Sequence, residues 1–147
     1  HLQLHMVGKL QTNKVKYAVS IFDYIHSLDN LKLAEKISNE QQKLKKNIKL
    51  FIQINIGDEN QKSGISILEI KDFYKRCIED LGLNIVGLMC LPPNEKNISS
   101  YFSKMKNLIN ENGLKELSMG MSNDYLKAVE FNSTFLRIGS KIFGKRS

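Results

Sequence analysis

The sequence predicts an α/β fold built on a parallel sheet, and three observations predict it. Residues 48–56 (IKLFIQINI) and 84–91 (NIVGLMCL) are almost continuously apolar, the pattern of strands buried on both faces. Between and around them lie segments with the helical period. Ile70, Phe73, Tyr74, Cys77, Ile78 and Leu81 fall at i, i+3, i+4, i+7, i+8 and i+11, which is one helix face. The two kinds of segment alternate about six times in 147 residues, and strict alternation means one domain with crossover helices. This pattern leaves two architectures open. One is a doubly wound open sheet. The other is a (β/α)8 barrel short of two units, since a complete barrel takes about 250 residues.

Taken in order, residues 4–8 read as a short strand and a weaker helix follows Gln11. Residues 22–26 form the next strand, and Leu33, Ile37 and Leu44 outline a helix over 30–44. After the strand at 48–56, Ser66 and Glu69 have capping-box spacing at the start of a helix over 66–81. Gly82 then sits where a left-handed C-cap belongs. Pro92 and Pro93 end the strand at 85–91, because proline cannot continue a ladder. Ile98, Tyr101, Phe102, Met105, Leu108 and Ile109 form the face of a helix over 97–112, closed by Gly113. A strand at 117–120, a weaker helix after Ser122 and a strand at 135–139 complete the chain. It opens at His1 directly into strand-like sequence, which predicts a fragment lacking its beginning.

Lys and Arg number 22 against 15 Asp and Glu, a net charge of +7. Nineteen of the 22 are lysines, scattered over helix surfaces apart from Lys43, Lys45 and Lys46. Nucleic-acid binders concentrate charge on one face and interleave aromatics or Arg, so a solvated surface is the better reading and no nucleic-acid partner is expected. No run of eighteen apolar residues exists, which excludes a spanning helix and predicts no membrane partner. No signal peptide is visible. Cys77 and Cys90 sit in apolar patterns without ligand spacing, against a disulfide scaffold or structural zinc. A reducing, cytoplasmic setting is expected.

No dinucleotide-binding, P-loop or nucleophile-elbow motif occurs, and His1, His5 and His26 are not spaced as metal ligands. The chemistry concentrates in the last third. Ser118–Met119–Gly120–Met121–Ser122 ends one strand, and Arg137–Ile138–Gly139–Ser140 ends the last. Small residues there let a ligand approach the backbone, and Ser122 and Ser140 offer hydroxyls beside helix starts with free N–H groups. In a barrel, the loops after the last two strands form the recurring phosphate site. The plain alternative is that both serines cap helices. Arg137 lies between Leu136 and Ile138, and arginine is seldom buried unless paired. A structural ion pair and a ligand contact both remain open. Asn55, in QINI, is either a satisfied core amide or a residue at the barrel mouth.

These residues carry a resemblance. LHMVGKLQTNK at 4–14, HSLD at 26–29, QINIGDENQKSG at 53–64, GLMCLPP at 87–93, LSMGMSND at 117–124 and RIGSKIFG at 137–144 resemble, in order, the pyridoxal-phosphate homeostasis proteins, relatives of the N-terminal barrel of alanine racemase. Leu4 stands where that family usually has Trp. The resemblance implies an incomplete (β/α)8 TIM barrel, roughly strands three to eight, with residues 1–147 as the C-terminal two-thirds of one barrel that binds pyridoxal 5′-phosphate. It implies that the Schiff-base lysine lies upstream, in a motif resembling A-V-S-K that this chain lacks. It implies that Ser122 binds the cofactor phosphate, with Gly139 and Ser140 adding a backbone N–H and a hydroxyl. Met121 would line the pocket, and Arg137 would face the pyridine nitrogen. The implied role is a monomeric carrier or regulator of the intracellular vitamin B6 pool, without catalysis, whose partners include apo forms of cofactor-dependent enzymes. A fold-type III enzyme such as an amino-acid racemase is the rival reading.

Overall fold

The computed structural model describes residues 1–60, 62–94 and 96–147. Six strands form a single sheet: β1 (His5–Met6), β2 (Tyr24–Leu28), β3 (Lys49–Ile54), β4 (Asn84–Cys90), β5 (Glu116–Met121) and β6 (Phe135–Arg137). They lie in sequence order, and every neighbouring pair is parallel. The connecting helices are α1 (Val15–Ile21), α2 (Leu31–Leu44), α3 (Ile70–Lys75), α4 (Ile98–Glu111) and α5 (Tyr125–Glu130). A four-residue helix, α6 (Ser140–Phe143), follows β6.

Two observations decide between the competing architectures. First, the helices cover one face. Val15 and Val19 of α1, Leu33 and Ile37 of α2, Ile70 of α3, Phe102 and Met105 of α4 and Ala128 of α5 share one core with Ile25, Leu50, Ile52, Leu88 and Leu117 of the strands. A doubly wound sheet would carry helices on both faces. Second, the sheet curls. Six flat strands about 4.8 Å apart would hold their outer strands roughly 24 Å apart, yet the rings of His5 on β1 and Phe135 on β6 have centroids 5.6 Å apart. The fold is an incomplete (β/α)8 barrel, open between β1 and β6. Its concave face holds a second, smaller cluster of Tyr24, Phe51 and Met89 with Val86 and Phe135.

The strand and helix centres agree with the sequence pattern, and the differences have local causes. Strand β2 begins two residues later than expected because α1 runs to Ile21 and Phe22 serves as its C-cap. Strand β6 stops at Arg137 because Gly139 turns into α6. The helix expected over 66–81 starts with the Ser66–Glu69 capping box in a 3₁₀ turn, continues as α3 and ends in a π-turn, Arg76–Asp80. The wider turn rotates the end of the predicted face, so that Cys77 is buried while Ile78 is 39% exposed. The lysine cluster is structural. Lys45 is the left-handed C-cap of α2, and Lys46 donates to the carbonyls of Val19 (2.8 Å) and Ser20 (3.0 Å) at the end of α1.

Close packing places the last two strands. Gly120 has φ +101°, and a Cβ there would lie 2.6 Å from the Cβ of Ala128 and 2.9 Å from Leu136. Only glycine lets α5 and β6 approach the end of β5 in this way.

Candidate functional site on the concave face

Arg137 ends β6 on the concave face. Its Nη1 donates to Ser118 Oγ at 2.6 Å and its Nη2 to the Cys90 carbonyl at 2.8 Å. Among the described residues no carboxylate lies within ion-pair distance of it. The ion-pair alternative for Arg137 is thereby replaced by two neutral acceptors on β5 and β4. Burial lowers its pKa, and the Cys90 thiol and Asp124 oppose that shift. Two of its five N–H groups are thus engaged, and among the described residues the others have no acceptor.

The hydrogen bonds continue past Ser118. Its Oγ lies 2.8 Å from His26 Nδ1, and His26 Nε2 lies 3.0 Å from His5 Nδ1. Ser118 is fully buried, so its single proton must go to one of its two partners. Arginine has no acceptor, so the hydroxyl donates to His26 Nδ1. Neutral His26 then carries its proton on Nε2 and donates to His5. A doubly protonated His26 would leave the Ser118 proton without an acceptor. Burial, helped by His5 and by the Arg137 charge, holds the His26 pKa down at about 3. Burial also lowers His5, opposed by Asp23 and reinforced by Lys49. Both rings are further fixed by stacking, His5 on Tyr24 at 4.2 Å and His26 on Phe51 at 4.3 Å.

The two loops meet through Ser122 and Lys141. Ser122 Oγ accepts from the Lys141 backbone N–H at 3.1 Å, which brings the β5–α5 loop onto the Gly139–Ser140–Lys141 turn. Neither serine is the N-cap of a helix. Asp124 precedes α5 and Gly139 precedes α6, but Ser122 caps α6 from outside, since Lys141 is the second residue of that helix. A side chain at Gly139 would meet no atom within 4 Å, so packing does not demand glycine there and its backbone stands open. Ser140 is exposed. Met121 is 48% exposed beside them and pairs in register with Arg137. Its backbone N–H is taken by Asp124 Oδ1 at 2.7 Å. Asn55 is a satisfied amide. It donates to the Glu59 carbonyl (2.8 Å) and accepts from the Glu59 N–H (3.1 Å), closing its own loop.

This parallel, incomplete barrel has a half-buried arginine on its concave face and two Ser/Gly loops that touch beyond its last strands. The alanine racemase N-terminal domain profile matches residues 2–147.

The chain belongs to the alanine racemase N-terminal domain family.

Within that family its relatives are pyridoxal phosphate homeostasis proteins. The one from Aquifex aeolicus is 37% identical over 99% of this chain and 68% of its own length. That of Escherichia coli K12 is 35% identical over 99% and 65%. The chain thus spans about two thirds of these relatives. PipY of Synechococcus elongatus PCC7942, solved without pyridoxal phosphate, superposes with TM-score 0.90 at 31% identity, covering 97% of this chain and 71% of PipY. The form with the cofactor bound gives 0.86. Alanine racemase of Clostridium difficile shares the fold at 12% identity, with TM-score 0.76.

His5, His26 and Ser118 were not identified from sequence as parts of the site. The available signal was weak, isolated polar residues within three strand segments. Only the parallel register, with His5 opposite Tyr24 and Ser118 opposite Phe135, puts them on one face.

Proposed function

We propose that this chain is the larger part of a pyridoxal 5′-phosphate carrier or regulator that acts in intracellular vitamin B6 homeostasis. The observation that carries this reading is Arg137, a half-buried guanidinium held by neutral acceptors with N–H groups to spare. When bound, pyridoxal 5′-phosphate supplies an aldehyde that condenses with amines and a ring that withdraws electrons.

The residues present fit such a group. Ser122, Ser140 and the backbone N–H of Gly139 would hold the phosphate, Met121 would cover one side, and Arg137 would meet the pyridine nitrogen. A guanidinium donates and never accepts, so it favours an unprotonated ring nitrogen. A lysine for covalent attachment would belong to the part of the relatives' length that this chain does not span, with residues 1–147 as the C-terminal two-thirds of the barrel. The role is retention and delivery without turnover, by a monomer in the cytoplasm, to apo forms of cofactor-dependent enzymes.

Calorimetric titration of the chain with pyridoxal 5′-phosphate and with inorganic phosphate tests the reading. The two should compete, and Ser122→Ala with Ser140→Ala should weaken both by roughly 10- to 100-fold, the worth of one or two hydrogen bonds to a charged group. Without the lysine, borohydride should spread label thinly over exposed lysines. Absence of binding, or a double variant that binds unchanged, refutes the site.

A further inference from the structure

The hydrogen-bond chain on the concave face is longer than a ligand contact needs. It ties β6 to β5, β2 and β1 through Arg137, Ser118, His26 and His5. Each link has one donor direction, set by the arginine at its end. A lone buried serine would anchor an arginine loosely, since a hydroxyl can rotate and exchange partners. Here His26 Nδ1 takes the Ser118 proton, which leaves the Ser118 lone pairs as the only face the hydroxyl can show to Arg137. Neutral His26, with its one proton on Nε2, has none at Nδ1 to donate instead. It is stacked on Phe51 and its Nε2 is engaged by His5.

We propose that Ser118 and His26 are positioning residues for Arg137. They fix its guanidinium so that its uncommitted N–H groups define the ring-nitrogen end of the cofactor site. This rests on the cofactor reading above. The consequence is selectivity. The site takes a ring that presents a bare nitrogen acceptor and resists the pyridinium form. Removing Ser118 or the ring nitrogens of His26 frees the arginine without touching the phosphate end.

Pyridoxine 5′-phosphate is the probe, because it lacks the aldehyde and its binding needs no lysine. Its affinity is measured by calorimetry and the protonation state of its bound ring by ultraviolet absorption, with inorganic phosphate as the control ligand. Wild-type chain should bind the probe with an unprotonated ring. Ser118→Ala and His26→Phe should bind it about 10-fold more weakly, the worth of about one hydrogen bond, and with the spectrum of the protonated ring. Inorganic phosphate should bind both variants as it binds wild type. Ser118→Thr, which keeps the hydroxyl, should restore the wild-type spectrum. If wild type binds neither phosphate nor probe, the cofactor reading fails and this inference falls with it. If wild type binds and both variants keep its affinity and spectrum, only the positioning role is overturned. Nitrogen-15 spectra of the wild-type histidines give a test that needs no variant. His26 should carry its proton on Nε2 with Nδ1 bare, and the opposite tautomer would overturn the proposal.

Discussion

Lowering the pH should destabilise this fold above all through His26. An unfolded histidine titrates near 6.5, whereas burial and its neighbours hold folded His26 down at about 3. Between those values the unfolded chain binds one proton more than the folded chain. Stability therefore falls as pH drops below about 6.5, by about 1.4 kcal/mol per unit, and the loss levels off near 3. From pH 7 to pH 4.5 the His26 contribution amounts to about 2.5 kcal/mol, a large part of the 5–15 kcal/mol available to a typical domain. Urea unfolding followed by circular dichroism at several pH values measures it, with His26→Phe as the reference. Phenylalanine keeps a ring against Phe51 but cannot titrate. It strands the buried Ser118 hydroxyl, so the variant should be weaker at pH 7 by about 1–3 kcal/mol. In the variant His5 also loses the His26 donor on its Nδ1, which eases its own protonation there and widens the difference. The wild-type curve should therefore fall more steeply than the variant's between pH 6.5 and 4.5. Parallel curves would refute the argument, because they would mean that His26 takes up its proton in the folded state as readily as in the unfolded one.

Gly87→Ala should cost about 3 kcal/mol, the upper end for overpacking, because a Cβ there would sit 1.9 Å from the Glu116 carbonyl oxygen; an unchanged urea midpoint would contradict that geometry. Asn30→Ala should cost about 1 kcal/mol by removing the α2 cap, in which Asn30 Oδ1 accepts from the Leu33 N–H at 2.8 Å. The check is again the urea midpoint. Arg137→Gln should loosen pyridoxal 5′-phosphate by roughly 10- to 100-fold, the worth of a hydrogen bond to a charged donor. Unchanged affinity in a titration would show that Arg137 serves only the Ser118 and Cys90 contacts.

The order of elements, the apolar strands, the capping box at Ser66 and the glycine stops after α3 and α4 were all legible in the sequence. They are local properties, written in period-2 and period-3.6 patterns and in turn chemistry that act over a few residues. The same holds for the two Ser/Gly loops and for Arg137 as an arginine out of place among apolar neighbours. The barrel was not legible from periodicity, because open and closed parallel sheets are built from the same alternating units. What chose between them was the curl that carries Phe135 round to His5. The partners of Arg137 were equally hidden. A strand pattern tells which residues alternate but not which register neighbouring strands adopt, and a one-residue slip would send Ser118 and His26 into the helix-covered core. The sequence by itself therefore determined the units and their order. The tertiary structure decided that His5 and His26, 21 residues apart, and Ser118, a further 92 along the chain, act as one hydrogen-bonded support for Arg137. Such contacts exist only once the strands have paired.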